Sequence, residues 1–156
     1  MKYIVHTDGG ARGNPGPAAV GVVIDLCECH DKHVQGQHKT KRIYSLGKPI
    51  GETTNNVAEY KAVIEALQYL VFLKKQREEL KTKISVEIYL DSTLVVNQIN
   101  GIFKVKNETL RNLLYMIRTL EQEAGESIEY VSVPREQNTD ADFLVNKALD
   151  ANTTVS

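Results

Sequence analysis

The sequence predicts an α/β fold in which a five-stranded mixed sheet carries helices on both faces. Apolar and polar residues alternate in three short segments near the N-terminus, which is the pattern of consecutive strands. Beyond about residue 55, segments with apolar residues at helical spacing alternate with single strand-like segments. The 156 residues, 42% of them apolar and 25% charged, suffice for one globular domain with its own core.

The first three strands are predicted at residues 2–8, 18–29 and 38–46. Short polar or Gly/Pro-rich turns separate them, so we expect antiparallel neighbours. The second strand is expected to be half-buried, with an apolar face formed by Val20, Val22, Ile24 and Leu26. A loop is expected over residues 47–53, where glycine and proline interrupt the alternation.

Apolar residues at helical spacing predict a first helix from about Asn56 to beyond Lys74. A charged, solvated stretch is expected to follow it and to end before Lys83. Residues 84–90 are rich in apolar and β-branched side chains and predict the fourth strand.

Capping signals define the two helices that come next. Ser92 is expected to cap a short helix over residues 93–100, which Gly101 stops. A longer amphipathic helix is predicted over residues 108–124 and ends at Gly125.

A fifth strand at residues 128–133 and a helix at residues 140–149 complete the predicted elements. The sequence has no internal repeat, linker or low-complexity tract. We therefore expect a single domain over residues 1–150, followed by a short tail at 151–156.

Charge and composition limit the classes of function. The net charge of −1, from 19 basic and 20 acidic residues, gives no overall nucleic-acid signature, so contacts with phosphates must come from local basic patches. The N-terminus reaches a charged residue too soon for a signal peptide, and no apolar run approaches the length of a membrane span. Together with the two cysteines, these features predict a reducing, cytoplasmic setting. We expect a monomer.

Four carboxylates lie where a predicted strand ends or a predicted helix begins: Asp8, Glu59, Asp91 and Asp142. Each has an ordinary explanation by itself, because Asp often starts a turn and acidic side chains favour helix N-termini. Together, at one edge of a sheet, they would form an oxygen-rich site for a hard divalent cation, as phosphoryl transfer requires. Without metal, the crowded acids should repel one another, so at least one should have a raised pKa.

Each acid lies in a short motif. In chain order the motifs are Asp8-Gly-Gly with Gly13-Asn14-Pro15-Gly16, Thr54-Asn55-Asn56 before Glu59, Asp91-Ser92, and the segment from Asn138 through Asp142 to Asn146. In this order, over roughly residues 1–150, they resemble the motifs of type 1 ribonuclease H. The resemblance implies the ribonuclease H-like fold with strand order 3-2-1-4-5. It also implies a metal-dependent endonuclease that cuts the RNA strand of an RNA/DNA hybrid, leaving 5′-phosphate and 3′-hydroxyl ends.

The resemblance implies two Mg²⁺ ions per site, with Mn²⁺ as a substitute. We expect Asp8 to bridge both ions, because it ends the central strand. By resemblance, Asp142 holds the ion that activates water, whereas Glu59 and Asp91 hold the ion facing the 3′-oxygen leaving group. Asp140 is the rival to Asp142, and the family pattern selects Asp142.

Small and polar residues near the acids are expected to contact the substrate. Gly9 and Gly10 would let the backbone approach a nucleic acid closely. By resemblance, Asn14, Asn55 and Asn56 contact the RNA strand along the minor groove, where the 2′-hydroxyl distinguishes RNA from DNA.

A phosphate of the DNA strand is expected in a pocket formed by Thr54 and Asn107, which match the family's pattern. Helix capping and turn formation explain these two residues, and Asn56, equally well. Glu52 departs from the family, which often has arginine there, and this weakens the assignment of the pocket.

Two further departures from the family pattern concern catalysis and the binding of the substrate. Many family members carry a histidine in the loop before the last acid, whereas the nearest replacement here is Arg135, a permanent cation that cannot exchange protons near neutral pH. A long basic protrusion found in some members is also absent. Only Lys104 and Lys106 lie in the corresponding short segment.

A group of thiols and imidazoles remains open as a zinc site: Cys27, Cys29, His30 and His33. No partner pair follows at zinc-finger spacing. A disulfide between cysteines two residues apart on one strand face is expected to be sterically unfavourable.

Two other classes of function are kept as alternatives. One is a catalytically weak module that binds hybrids or double-stranded RNA, although the presence of all four acids argues against it. The other is an actin-like ATP-binding domain, whose fold also begins with an Asp-Gly strand turn. Such proteins need two domains to enclose nucleotide, and this chain is long enough for one.

Overall fold

The structure, a computed structural model, describes residues 1–28, 39–77 and 84–153. The strands are β1 (Lys2–Ala11), β2 (Gly16–Cys27), β3 (Thr40–Thr53), β4 (Ser85–Leu90) and β5 (Ser127–Ser132). The helices are α1 (Asn55–Gln76), α2 (Thr93–Ile99), α3 (Glu108–Ala124) and α4 (Thr139–Thr153), and a 3-10 turn (Arg135–Gln137) precedes α4.

The five strands form one mixed sheet in the order β3-β2-β1-β4-β5, which confirms the predicted order. β1 and β2 pair antiparallel, as do β2 and β3, whereas β1, β4 and β5 are parallel. The parallel pairing of β1 with β4 ends at His6 and Tyr89, but the antiparallel pairing of β1 with β2 continues to Ala11. β1 and β4 are therefore no longer paired beyond His6, which lies beside the carboxyl end of β4.

Helices cover both faces of the sheet. The main core lies between the sheet and α1, α2 and α3, where fully buried side chains include Val5, Tyr60, Leu67, Ile88 and Ile117. A smaller core packs α4 against β2 through Ala19, Val145, Ala148 and Leu149. Burying one such Leu, Ile or Val side chain contributes about 1.5–3 kcal/mol to stability.

The structure corrects two predictions about the strands. β3 runs to Thr53, so the loop predicted at residues 47–53 is wrong, and these residues pair with the start of β2. β2 is buried on both faces, because α4 covers the face that was expected to be solvated. The prediction of a half-buried strand is therefore wrong.

Helix ends follow the local signals more closely. α3 has the predicted bounds, with the Asn107 side chain accepting from Leu110 N–H and Gly125 in the left-handed conformation. The Ser92 side chain caps α2, and Gly101 has a positive φ just beyond it. The last helix is longer than predicted, since it begins at Thr139 and continues to Thr153.

Cys27 ends β2 and is disulfide-bonded, so the expectation that a disulfide would be unfavourable is wrong. Its sulfur is therefore not a thiolate ligand for zinc. The other members of the suggested zinc group, Cys29, His30 and His33, lie outside the described residues, as does the charged stretch at 78–83.

None of the helices over the described ranges is long and apolar enough to cross a membrane.

Candidate functional site

The four predicted acids come from four different elements and meet beside the unpaired end of β1 and β4. Asp8 lies in β1, Glu59 in α1, Asp91 directly after β4 and Asp142 in α4. All four line one cavity of about 460 Å³. One oxygen each from Asp8, Glu59 and Asp91 lies within 4.8 Å of the other two, which is the spacing of carboxylates that can share a metal ion.

The sequence indicated that Asp8 ends its strand. This is wrong, because β1 continues to Ala11 along β2. On its other side, the pairing with β4 has already ended at His6. The Asp8 side chain therefore lies over the gap between the two parallel strands, where Asp91 also emerges.

A close approach between β1 and α1 brings Glu59 to Asp8. A Cβ atom placed on Gly9 would lie 2.2 Å from the backbone carbon of Ala58, so only glycine allows this contact. Glu59 follows Ala58 directly and is 7% exposed. Backbone contact between the residue after Asp8 and the residue before Glu59 thus sets the separation of the two acids.

We predict that Gly9→Ala lowers the free energy of unfolding by about 2–3 kcal/mol or more, because the added methyl group must push α1 away from β1. Gly10→Ala is the matched control, since its Cβ would meet only a Val145 methyl group, at 3.6 Å. Urea denaturation of both variants measures the difference. Equal stability of the two variants would contradict the close-approach argument.

Helix α4 also rests directly on the sheet through glycines. A Cβ on Gly21 would lie 2.2 Å from the carbonyl oxygen of Ala141, and one on Gly47 would lie 2.7 Å from that of Leu144. This contact places Asp142, the next residue after Ala141, at the edge of the cavity.

Asp140, the rival acid, does not line the cavity. Its Oδ2 atom accepts from the Arg42 guanidinium over 2.9 Å, and its side chain is 65% exposed. Arg42 also pairs with Asp25 of β2. Asp140 therefore has a surface ion-pairing partner, whereas Asp142 faces the other acids.

The pKa of Asp8 is raised to about 7, mainly by burial and then by the neighbouring charges of Asp91 and Asp142, together with a side-chain contact with Asp142. The contact with Glu59 acts in the opposite direction. The sequence-based expectation that at least one acid has a raised pKa is confirmed. A carboxyl group held at such a pKa is stabilised as an anion when a cation is added.

Burial also raises the pKa of Glu59 well above its ordinary value, with the charges of Asp8 and Asp91 as further causes. The Oε2 atom of Glu59 is buried and has no hydrogen-bond partner within the described part of the chain. A buried carboxylate oxygen without a donor is costly, and a metal ion would compensate that cost. The donor set consists of hard oxygen atoms, so the residues fit Mg²⁺ or Mn²⁺.

The metal-free protein should become less stable as the pH rises from about 4 to about 7. The pKa of an unfolded Asp is about 3.9, whereas the pKa of Asp8 in the fold is about 7, so the folded state holds an extra proton in this window. Its contribution is fully lost above about pH 7. Thermal unfolding in a chelator at pH 5 and pH 8, compared with Asp8→Asn, isolates this effect. If the melting temperature changed between pH 5 and pH 8 by the same amount in the wild type and in Asp8→Asn, the prediction would be contradicted.

Two cations border the cavity. Arg135 Nε lies 3.9 Å from Asp91 Oδ2, and the Arg135 side chain is 84% exposed, which leaves it free to meet an anion. Arg12 also lines the cavity and pairs with Asp150 of α4 at 2.5 Å. Arg12 was not identified from the sequence, although a cation in the glycine-rich turn after Asp8 was a usable signal.

The side chains of Asn14 and Asn55 join the first turn to the start of α1 by accepting from backbone N–H groups. Asn55 Oδ1 accepts from Ala11 N–H over 2.8 Å, and Asn14 Oδ1 accepts from Asn55 N–H over 3.1 Å. Because both carbonyl oxygens are occupied, the two amide NH₂ groups remain as donors for a ligand. Asn55 and Asn56 line the acidic cavity, but Asn14 does not.

A second cavity of about 550 Å³ adjoins the first, and its lining includes Asn14, Asn55 and Asn56. The N-termini of α1 and α3 both open onto it, capped by Thr54 and Asn107. The capping explanation is confirmed for these two residues and is wrong for Asn56, which lies inside α1. Two helix N-termini facing one cavity provide backbone N–H groups and partial positive charge, which favour an anion.

Comparisons with known proteins identify relatives along nearly the whole chain. The family described as "Reverse transcriptase-like" matches residues 6–148. The bifunctional protein Rv2228c of Mycobacterium tuberculosis is 38% identical over 151 residues, which are 97% of this chain and 36% of that protein. Ribonuclease HI of Halobacterium salinarum is 36% identical over 146 residues, 93% of this chain and 63% of that protein. The chain thus spans little more than a third of the first curated relatives that it matches.

Solved structures agree with this relationship. LC11-RNase H1, isolated from compost by a metagenomic approach, has a TM-score of 0.81 and 41% identity, and the alignment covers 98% of this chain and 99% of that one. A second structure of LC11-RNase H1, in complex with an RNA/DNA hybrid, aligns with a TM-score of 0.81 at 39% identity over 97% and 99% of the two chains. These similarities extend over all the elements that form the two cavities.

Proposed function

This chain belongs to the type 1 ribonuclease H family, and we propose that it is a metal-dependent endonuclease that hydrolyses the RNA strand of RNA/DNA hybrids. The observation that carries the proposal is the oxygen cluster of Asp8, Glu59 and Asp91 within 4.8 Å, with Glu59 Oε2 buried and unpartnered. The complex of LC11-RNase H1 with a hybrid supports the substrate class. The expected products carry 5′-phosphate and 3′-hydroxyl ends.

We assign the four acids as ligands of two Mg²⁺ ions, with Mn²⁺ as a substitute. Asp8 would be shared by both ions, Glu59 and Asp91 would complete one position, and Asp142 would belong to the other. Bound metal would supply an activated water and neutralise charge at the phosphorus. The protein holds the acids on rigid elements, so little reorganisation is needed when substrate binds.

The RNA strand is assigned to the acidic cavity. The backbone of Gly9 and Gly10 lines it and permits a close approach of the nucleic acid. The NH₂ group of Asn55 is a donor for the 2′-hydroxyl or base edges in the minor groove, and Asn56 lies beside it. Recognition of the 2′-hydroxyl would make the enzyme specific for RNA at this strand.

The DNA strand is assigned to the second cavity through one of its phosphates. Thr54 and Asn107 cap the two helices that face it by accepting from Val57 N–H and Leu110 N–H. The partial positive charge of both helix ends favours an anion in this cavity. Asn14 lines the same cavity together with Asn55 and Asn56, and it is assigned with them to the RNA strand, where the two cavities adjoin.

Arg135 is assigned as an auxiliary cation that positions the scissile phosphate. We predict that Arg135→Ala lowers turnover about ten- to a hundredfold and leaves the shape of the pH profile unchanged, because a guanidinium stays charged throughout. Arg135→Lys should recover part of the loss, since the charge remains but the planar fork does not. Steady-state kinetics between pH 6 and 9 measures both effects. Unaltered turnover in Arg135→Ala would contradict the proposal that Arg135 positions the scissile phosphate.

The function is tested by incubating the protein with end-labelled RNA/DNA hybrid, duplex RNA and duplex DNA, each with Mg²⁺, Mn²⁺ or chelator. Cleavage of the RNA strand of the hybrid, dependent on metal, is expected, and the product ends can be identified with phosphatase and kinase. Binding of the hybrid without cleavage in either metal would favour the alternative of a catalytically weak binding module. Cleavage of duplex RNA would extend the substrate range.

A further inference from the structure

Asn138 is a polar residue with no exposed surface, located between the 3-10 turn that carries Arg135 and the helix that carries Asp142. Its Nδ2 atom donates to the backbone oxygen of Thr7 over 2.9 Å, although the two residues are 131 positions apart. The Thr7 carbonyl belongs to the peptide that leads into Asp8. The Asn138 side chain therefore binds the chain immediately before the most central acid.

The backbone of Asn138 makes two further contacts in the same region. Its N–H donates to the oxygen of Arg135 over 3.0 Å, and its own oxygen accepts from the N–H of Asp142 over 3.1 Å. One residue thus links the turn of Arg135, the first turn of α4 and the end of the β1–β4 pairing. Asn138 itself does not line the acidic cavity.

The Thr7 carbonyl lies just past the last parallel pair, which joins His6 to Tyr89. With β4 no longer alongside, the Asn138 amide provides the donor that this buried carbonyl needs. The bond orients the peptide plane before Asp8, and with it the direction in which the Asp8 side chain leaves the strand.

The amide also carries a cost, which offsets part of the stability that its bond to Thr7 provides. Asn138 Oδ1 is buried and has no hydrogen-bond partner among the residues that the structure describes. A buried unpaired oxygen is unfavourable, and an apolar side chain of similar volume would avoid it. The benefit of Asn138 must therefore come from what its NH₂ group holds in place.

We propose that Asn138 is a positioning residue for the acidic cluster. It keeps the peptide before Asp8 and the first turn of α4 at a fixed separation, so that the Asp8 and Asp142 carboxylates remain close enough to bind divalent cations together. The inference rests on the metal-dependent cleavage proposed above. It also names an effect on metal binding that can be measured without substrate.

The test compares Asn138→Leu with Gln137→Ala. Leucine keeps the side-chain volume and removes the unpaired oxygen, but it leaves the Thr7 carbonyl without its donor, so the melting temperature should fall by about 5 to 10 °C while the protein stays folded. The Kd for Mg²⁺, measured by calorimetry on the free protein, should rise about tenfold or more. At a fixed, limiting Mg²⁺ concentration kcat should fall and KM for the hybrid should not change, and higher Mg²⁺ should restore part of kcat. Gln137→Ala, an exposed residue of the same turn, should match the wild type.

Wild-type Mg²⁺ affinity and kcat in Asn138→Leu would overturn the proposal. So would a loss of kcat with unchanged Mg²⁺ affinity, because the residue would then act through something other than the metal ligands. If leucine prevents folding, Asn138→Ala replaces it in the same measurements, with the same expected rise in Kd. Failure of the wild type to cleave hybrid would contradict the proposed function, whereas the calorimetric comparison would still decide the role of Asn138.

Discussion

The Asp8→Asn variant is expected to lose hybrid cleavage by at least about a thousandfold while keeping its fold. Asp8 lies among the other acids: one of its oxygens is within 4.8 Å of oxygens of Glu59 and Asp91, and the charge of Asp142 also raises its pKa. An amide removes the charge that the two proposed metal positions share, so both should fail together. The measurement is turnover of labelled hybrid at saturating Mg²⁺, with circular dichroism as the check on folding.

The same substitution should stabilise the metal-free protein. In the wild type at pH 8, the buried Asp8 carboxylate faces like charges above its pKa of about 7, and the neutral amide avoids this repulsion. We expect the melting temperature in chelator to rise by about 5 to 10 °C, and Mg²⁺ to raise it less than in the wild type. Cleavage within about tenfold of the wild type would contradict the assignment of Asp8 as the shared ligand.

The second large effect is expected from Asp142→Ala, with Asp140→Ala as its matched control. Asp142 lines the acidic cavity and is in contact with Asp8, so removing its carboxylate should lower kcat about a hundredfold or more. Asp140 lies two residues earlier in the same helix but pairs with Arg42 at the surface. Its removal should leave kcat within about threefold of the wild type and cost at most about 1 kcal/mol of stability.

Turnover of hybrid by the two alanine variants, at several Mg²⁺ concentrations, distinguishes them. If Asp140→Ala were the inactive variant and Asp142→Ala the active one, the alignment of the last motif would be shifted by two residues. If both were inactive, the start of α4 would matter through its position rather than through one carboxylate.

Elements with strong local signals were predicted well from the sequence. The bounds of α3 follow from the cap at Asn107 and the left-handed Gly125, and the short α2 follows from the cap at Ser92. Such signals act within one turn of helix, so neighbouring residues contain them completely. The five-stranded sheet and its order were also predicted, the order through the family resemblance.

Strand β3 shows where local reasoning was wrong. Residues 47–53 contain Gly47, Pro49 and Gly51, a composition typical of a loop, yet they pair with the first residues of β2. β3 lies at the edge of the sheet, so one side of its backbone has no strand partner in the described part of the chain and proline is tolerated there. The pairing is a contact between distant segments and leaves no local signature.

The sequence by itself showed four acids at strand ends and helix starts, each in a short motif, and the family resemblance of those motifs selected Asp142 over Asp140. Their distances were decided only by the tertiary structure. The contact of Gly9 with Ala58 brings two of the acids together, and the bond from Asn138 to Thr7 joins segments 131 residues apart. A sequence records which side chains are present, whereas the packing of backbone against backbone decides which of them meet.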